Sequence, residues 1–390
     1  MSAIPIEPLR AAAASSRDRF LAELERLVSI DCGSYTPEGV NRVADFCADT
    51  LSTLGADVER VTHRPDGERP QLGDLVIGRM AGGGPRLLLI GHMDTVFDPG
   101  TAVARPFHIE GDRALGPGVT DMKAGLLAGF HAIDALHEAG VMPTITFVCN
   151  PDEEIGSPFS TPHIRRLARE HDVALVLECA RANGDIVSAR KGIADIHITI
   201  TGRAAHAGVE PEKGRSAILE AAHQVIALHE LNGAWPTVTV NAGVIRGGTR
   251  PNVVPERCEL KVDVRAATVD AFTAAVAEVE RIVRDPRVAG TTATISHTAG
   301  HQPMERSAAS ERLVALAVAI AGELGFPLRD AATGGASDAN STSAAGLPTL
   351  DGLGPIGGDD HSTDEWLDVT SIVPRTALLA GLIARVGDAL

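Results

Sequence analysis

The chain is 390 residues long, with 44% hydrophobic and 22% charged residues, which predicts a globular protein long enough for two domains. Its net charge of −16 argues against nucleic acid and anionic membranes as partners, and no apolar run is long enough for a signal-peptide core or a membrane span. The five scattered cysteines form no CxxC motif, which favours reduced thiols and a cytoplasmic location.

Strand and helix patterns alternate over the first 190 residues. Apolar residues at helical spacing predict helices over 15–30, 37–54, 121–140 and 161–171. Apolar or alternating runs predict strands over 56–62, 74–79, 86–90, 144–149 and 173–177. This alternation is typical of an α/β fold with a doubly wound, mostly parallel sheet.

The pattern changes near Lys191. Residues 194–201 alternate isoleucine with polar residues, as in a strand whose sheet has one solvated face. From there to residue 297 the predicted order is βαββαβ, which is that of a ferredoxin-like module. Patterns like those of the first part then resume. We therefore predict one domain made of residues 1–190 and 300–390, interrupted by an inserted domain of residues 191–299.

Polar side chains follow several predicted strands at their carboxyl ends, where ligands bind in open α/β sheets. These residues are His92 and Asp94 after strand 86–90, Glu153 and Glu154 after strand 144–149, and Glu178 after strand 173–177. Two further candidates lie in glycine-containing loops, namely Asp121 and His361. Each of them alone also fits an ordinary role, such as a surface turn or, for Asp121, a helix N-cap.

Together these positions supply two histidines and several carboxylates. Such a set suits a divalent metal such as zinc, and a shared aspartate can bridge two ions. Neighbouring side chains diverge, so one of Glu153 and Glu154 can coordinate a cation while the other acts as a base. Other chemistries lack support, because the sequence has no GxSxG elbow and no HExxH helix.

Several segments resemble the M20 family of zinc amidohydrolases and peptidases, and within it the glutamate carboxypeptidases of the carboxypeptidase G2 type. The segments are His92-Met93-Asp94-Thr95-Val96, Gly118-Val119-Thr120-Asp121-Met122-Lys123-Ala124-Gly125, Asp152-Glu153-Glu154-Ile155-Gly156-Ser157 and the late His361. The resemblance covers nearly the whole chain. It implies that residues 1–190 and 300–390 are a catalytic domain and that residues 191–299 are a lid and dimerisation domain.

The resemblance also implies two zinc ions per subunit, with Co²⁺ or Mn²⁺ as substitutes. It implies that Asp121 bridges the ions and that the remaining ligands are His92 and Glu178 for one ion, and Glu154 and His361 for the other. Glu153 would be the general base and acid, and Asp94 would orient His92. The peptide bond between Asp121 and Met122 would be cis.

In the inserted domain, the resemblance implies three contacts with substrate. His206 would reach the active site of the partner subunit in a homodimer, and Asn252 would contact the substrate. Arg265 fits the arginine that binds the terminal carboxylate, and a charge on an exposed strand is the equally open alternative. Gly334 and Gly335 would contribute backbone contacts, although Gly334-Gly335-Ala336-Ser337-Asp338 departs from the Gly-Gly-Thr-Asp form that the family leads us to expect.

The predicted function is therefore hydrolysis by a dinuclear zinc enzyme of an amide bond next to a free carboxylate, with release of a C-terminal amino acid such as glutamate. An N-acyl amino acid deacylase, acting on an acetyl or succinyl group, is the alternative, because both leave an amino acid. A catalytically inactive dimeric binding protein is a third hypothesis, which the intact ligand set disfavours. The expected partners are a small peptide or N-acyl amino acid substrate and a second copy of the chain.

Overall fold

The computed structural model describes residues 5–65, 67 and 69–390, and the side chains of all of these except 297–299. Residues 1–4, where a signal peptide would begin, therefore lie outside the described residues. Two compact units are present. The first is Met1–Ser188, Arg306–Ala332 and Ser337–Leu390, and the second is Ala189–Glu305 with Thr333–Ala336. The stretch 191–299, predicted to be an insertion, lies within the second unit.

The first part of the chain contains the helices and strands of an α/β unit. The helices are α1 (Ile6–Ser15), α2 (Arg17–Val28), α3 (Pro37–Thr53), α4 (Thr101–Ala104), α5 (Ala124–Glu138) and α6 (Thr161–Ala168). The strands are β1 (Asp57–Val61), β2 (Leu75–Met80), β3 (Gly83–His92), β4 (His108–Glu110), β5 (Arg113–Leu115), β6 (Pro143–Asn150), β7 (Val173–Val176) and β8 (Ile186–Arg190).

Nine of these fourteen elements lie within a few residues of their predicted bounds. The elements α1, α4, β4, β5 and β8 were not predicted. In α1 the side chains of Ile6, Leu9 and Ala13 are spaced by three and four residues and are buried. The run of alanines between them gives only a weak apolar periodicity, so this short helix is stabilised mainly by its packing.

The second unit contains a ferredoxin-like module, as predicted. Its elements are β9 (Gly192–Thr201), α7 (Ala217–Glu230), β10 (Thr239–Gly247), β11 (Arg257–Ala266), α8 (Val269–Arg284) and β12 (Thr292–His301). They form an antiparallel sheet in the order β10-β11-β9-β12. Both helices begin with a side-chain cap, since Ser216 accepts the backbone N–H of Leu219 and Thr268 accepts that of Ala271.

The last part of the chain completes the first unit. Its elements are α9 (Ala308–Leu324), β13 (Asp330–Thr333), α10 (Asp338–Ala344), β14 (Thr349–Leu350), β15 (Gly357–Gly358), β16 (Trp366–Asp368) and α11 (Ile372–Arg385). The main sheet of the described residues has the order β1-β2-β6-β3-β7-β14. The strands β6, β3, β7 and β14 are parallel, and β1 and β2 are antiparallel at one side. This confirms the predicted α/β class with a mostly parallel sheet.

Two features of this unit position the candidate site. The parallel strands β3, β6 and β7 lie side by side, so their carboxyl ends meet at the same edge of the sheet. A second, smaller antiparallel sheet has the order β15-β16-β5-β4 and joins the segment before Asp121 to the segment after His361. No helix of the described chain combines the length and the apolar character that crossing a membrane requires.

Candidate metal centre

His92 is the last residue of β3, and its side chain is almost completely buried. The four preceding residues, Leu87 to Ile90, are buried on both faces of the sheet, so the strand can expose a polar group only where it ends. The Nδ1 atom of His92 lies 3.0 Å from the backbone oxygen of Asp94. Because Nδ1–H donates there, Nε2 is available as an acceptor or ligand.

Asp121 lies in an irregular turn between β5 and α5. The predicted helix start at Asp121 is wrong, because Asp121 and Met122 have non-helical torsion angles and α5 begins at Ala124. The Asp121–Met122 peptide bond is cis, as predicted. Gly125 allows the start of α5 to approach the end of β7, since an added Cβ would lie 2.0 Å from the backbone oxygen of Leu177.

The two carboxylate oxygens of Asp121 face two different histidines. Its Oδ1 is 2.9 Å from Nε2 of His92, and its Oδ2 is 3.1 Å from Nε2 of His361. Beyond the first histidine, Glu178 Oε1 is 3.8 Å from the same His92 nitrogen. Beyond the second, Glu154 Oε2 is 3.1 Å from the His361 nitrogen. The five side chains therefore form a continuous row with Asp121 at its centre.

Glu153 and Glu154 form a single helical turn after β6, and Asp94 holds this turn in place. Asp94 Oδ1 accepts the backbone N–H of Glu153 at 3.1 Å, and Oδ2 accepts that of Glu154 at the same distance. Ser34 Oγ donates to Asp94 at 2.6 Å. Asp94 thus contacts both His92 and the glutamate turn. The sequence predicted its contact with His92 but not its contact with the turn.

A second group of buried polar residues supports the same turn, and the sequence did not predict it. Asp338 accepts hydrogen bonds from Ser157 Oγ and Asn150 Nδ2. Asp152 accepts from Ser160 Oγ and, at 2.6 Å, from the backbone N–H of Phe159. The acidic run at 152–154 signalled a functional loop, but the partner Asp338 is far along the chain and could be found only from the fold.

The donor set fits a divalent metal. Two groups have ligand atoms that all lie within 4.8 Å of one another, namely His92 with Asp121 and Glu154, and His92 with Glu153 and Glu178. All members of both groups are partly or fully buried. Carboxylate oxygens and imidazole nitrogens converging in this way are typical ligands of zinc.

The pKa values show how strongly charge is concentrated here. Hydrogen bonds to Asp121 and Glu154 raise the pKa of His361 to about 11. Burial raises the pKa of Glu154 to about 7 and that of Glu153 well above its usual range, and neighbouring carboxylates add to both shifts. A bound cation would favour the charged carboxylates that burial disfavours, so this environment is suited to one.

The five remaining predicted site residues lie in the second unit. Ala207 N–H donates to the backbone oxygen of Asn252 at 3.0 Å, which brings the His206 and Asn252 segments side by side. Both side chains are exposed. Arg265 donates from Nε to Asp263 at 3.0 Å and from Nη1 to the backbone oxygen of Gly334 at 2.9 Å. Gly335 accepts from Arg190 through its backbone oxygen. The roles of these residues in binding substrate stay predictions.

Comparison with known proteins gives one family. The family model described as peptidase family M20/M25/M40 matches residues 88–385. Carboxypeptidase G2 of Pseudomonas sp. (strain RS-16) is 33% identical over 382 residues, which are 96% of this chain and 91% of that protein. Acetylornithine deacetylase of Myxococcus xanthus is 27% identical over 257 residues, 63% of this chain and 66% of that protein.

The solved structures agree on the fold. Aminopeptidase PepT from Bacillus cereus ATCC 10987 superposes with a TM-score of 0.76 at 24% sequence identity, covering 95% of this chain and 98% of that chain.

Proposed function

Because this chain belongs to peptidase family M20/M25/M40 and is a hydrolase, we propose that it uses two zinc ions to cleave an amide bond next to a free carboxylate. The amino acid released would be the C-terminal residue of a small peptide or conjugate, with glutamate the first candidate. The similarity to carboxypeptidase G2 along 96% of the chain supports the carboxypeptidase activity.

The observation that carries this proposal is the position of Asp121 between two histidines. A carboxylate with one oxygen toward each imidazole is arranged to bridge two ions, and Glu178 and Glu154 stand at the outer ends of the row. In this proposal His92, Asp121 and Glu178 hold one ion, and Asp121, Glu154 and His361 hold the other. Co²⁺ or Mn²⁺ could replace zinc in such a site.

Two bound ions would polarise the scissile carbonyl and lower the pKa of water to near neutrality. Glu153 would take the proton of the attacking water and pass it to the nitrogen of the leaving amine. Burial raises its pKa, which makes it a stronger base than an ordinary carboxylate. Asp94 would keep Glu153 in place through the backbone N–H that it accepts.

Residues of the second unit would bind the rest of the substrate. His206 Nδ1 accepts the backbone N–H of Gly208 at 3.1 Å, so the proton of a neutral ring is on Nε2 and can be donated to a developing oxyanion. Asn252 would contact the substrate, and Arg265 would bind its terminal carboxylate. Gly334 and Gly335 would contribute backbone groups, although the oxygen of Gly334 accepts a bond from Arg265.

We also propose a homodimer in which His206 acts in the active site of the partner subunit. Four large apolar side chains on α7 and β10 are exposed by 39–60%, and a partner subunit would cover them. They are Ile218, Leu219 and Ile226 on α7, and Ile245 on β10. Light scattering should give a dimer for the wild type and a smaller species for Ile226→Asp, whereas a wild-type monomer at assay concentrations would contradict the proposal.

A cytoplasmic location is part of the same proposal. All five cysteines are buried free thiols. Thiols persist in a reducing compartment, which is the support for this location.

The second candidate function is removal of an acetyl or succinyl group from an amino acid. The similarity to acetylornithine deacetylase over 63% of the chain favours it. The metal-binding residues do not separate the two functions, because both reactions cleave an amide and leave an amino acid.

Mass spectrometry of the products separates the candidates. Zinc-loaded protein would be offered folyl- and peptidyl-glutamates, other dipeptides, and N-acetyl and N-succinyl amino acids. Release of glutamate from the conjugates supports the carboxypeptidase, and preferred turnover of the small acyl compounds supports the deacylase. Absence of turnover with zinc bound would contradict both substrate classes.

A further inference from the structure

Glu365 is a buried carboxylate that the proposed mechanism does not use. It lies four residues after His361, directly before β16, and is 1% exposed. Its Oε2 accepts the backbone N–H of Gly118 at 2.8 Å. Its Oε1 accepts the N–H of Thr120 at 2.9 Å and that of Asp121 at 3.1 Å. One carboxylate thus binds three N–H groups of the loop that ends at Asp121.

These bonds determine the backbone course of that loop. Gly118 has a φ of 70°, in the left-handed region, and an added Cβ would lie 2.6 Å from Thr95 Cγ2. The loop therefore packs closely against Thr95, and its backbone N–H groups donate to Glu365. Buried N–H groups without a partner are strongly disfavoured, so the loop is held where the carboxylate is.

The same segment fixes His361. Asp359 and His361 have φ values of 57° and 61°, and such left-handed residues persist only where their surroundings hold them. Trp366, next to Glu365, donates from Nε1 to Asp359 Oδ2 at 3.0 Å. Its backbone pairs with Leu115, just before the Asp121 loop. The segment around Glu365 therefore connects the loop of Asp121 with the loop of His361.

We infer that Glu365 is a positioning residue for the metal centre, which keeps the carboxylate of Asp121 and the imidazole of His361 at the separation that a metal ion requires. This inference rests on the proposed metal centre. Substitution should misplace Asp121 without removing any ligand, and so weaken metal binding. Partners that orient metal ligands typically change affinity by about 10- to 100-fold.

The test is a titration of metal-free protein with Co²⁺, followed by the d–d absorption of the bound ion. Glu365→Gln keeps the size of the side chain, but its amide group cannot accept N–H donors at both positions. Glu365→Asp keeps the charge and shortens the reach. Glu220→Gln is the matched control, because Glu220 is also fully buried and accepts the N–H groups of Arg287 and Val288 at 2.8 Å, but in the second unit.

We expect Glu365→Gln to bind Co²⁺ about 10- to 100-fold more weakly, with an altered spectrum, and Glu365→Asp to recover part of the affinity. Glu220→Gln should lower the thermal midpoint and leave Co²⁺ affinity unchanged. Wild-type affinity and spectrum in a folded Glu365→Gln protein would overturn the inference. So would failure of both Glu365 variants to fold without metal, since the role would then be structural. If the wild type itself binds no Co²⁺, the proposed function fails first.

Discussion

The main sheets of the two units place polar residues in different ways. In β3 of the first unit, four consecutive residues are buried on both faces, so His92 appears only where the strand ends. In β9 of the second unit, the isoleucines at 196, 198 and 200 are buried, and His197 and Thr199 between them are partly exposed. A parallel sheet covered on both faces thus confines its chemistry to strand ends, whereas a half-covered antiparallel sheet has a whole face for it.

The difference has an energetic consequence. At the strand ends of the first unit, charged groups are close together and largely buried, so each depends on its neighbours. On the open face of the second unit, side chains such as Arg265 are partly in solvent and interact one pair at a time. Substitutions should therefore have large, coupled effects in the first unit and smaller, separable effects in the second.

The largest effect is expected for the proposed base. Glu153→Ala should lower kcat by about 10²- to 10⁴-fold, because no other group would move the proton. Metal content and thermal midpoint should stay close to those of the wild type, as measured by atomic absorption and calorimetry. Turnover near that of the wild type would remove Glu153 from this role.

His206→Ala comes next and tests whether the second unit takes part in chemistry. We expect kcat to fall by about 10²- to 10³-fold, the usual cost of losing one oxyanion donor. Mixing subunits of His206→Ala and Glu153→Ala should restore about a quarter of wild-type activity, since half of the dimers are mixed and each contains one complete site. If the mixture stays as inactive as its parts, His206 does not act across a dimer.

A smaller effect is expected for Arg265, and it has a matched control on the same strand. Arg265→Ala should raise KM about 10- to 100-fold for substrates with a free carboxylate and leave kcat nearly unchanged. Arg257→Ala removes a guanidinium on the same face of β11, paired with Glu259, and should leave KM unchanged. Equal effects of the two substitutions on KM would favour an ordinary surface charge at position 265.

The smallest expected effect is a pH dependence of stability that buried carboxylates of the first unit should cause. Burial raises the pKa of Asp152, Glu154 and Glu365 to about 7. Each carboxyl group therefore stabilises the fold fully below the pKa that it has in the unfolded chain, about 4. It loses that contribution as the pH rises through about 7. In EDTA, the thermal midpoint should therefore fall by several degrees between about pH 5 and about pH 7.5.

Calorimetry of the metal-free protein checks this, and added zinc should reduce the difference, because a cation favours the charged carboxylates. A midpoint that stays level or rises over the same pH interval would contradict the prediction.

Short sequence patterns predicted most of the helices and strands of this fold. The apolar run of β3 and the alternation of β9 predicted the main sheet of each unit, and the strand-end rule predicted that His92, Glu154 and Glu178 lie close together. Two proposed ligands, Asp121 and His361, lie in loops outside this rule, and Asp121 was expected at a helix start. Its turn depends on the close approach of Gly125 to Leu177, a tertiary contact without a periodic signal.

The supporting residues could not be predicted in the same way. Asp338 accepts hydrogen bonds from Asn150 and Ser157, which lie almost two hundred residues earlier in the sequence. Glu365 accepts hydrogen bonds from a loop that lies 244 to 247 residues earlier. A buried carboxylate that accepts backbone N–H groups has no preferred spacing from its partners. Only the folded backbone can show which acidic residue is used in this way.

The position of the second unit between Glu178 and His361 has a consequence for biosynthesis. Four of the proposed ligands are translated before this unit, and the fifth follows about 180 residues later. At about 5 to 20 residues per second, a ribosome needs about 10 to 40 s for that distance. During this interval a nascent chain carries His92, Asp121 and Glu178 without His361, so the proposed metal centre can be completed only after the second unit has been translated.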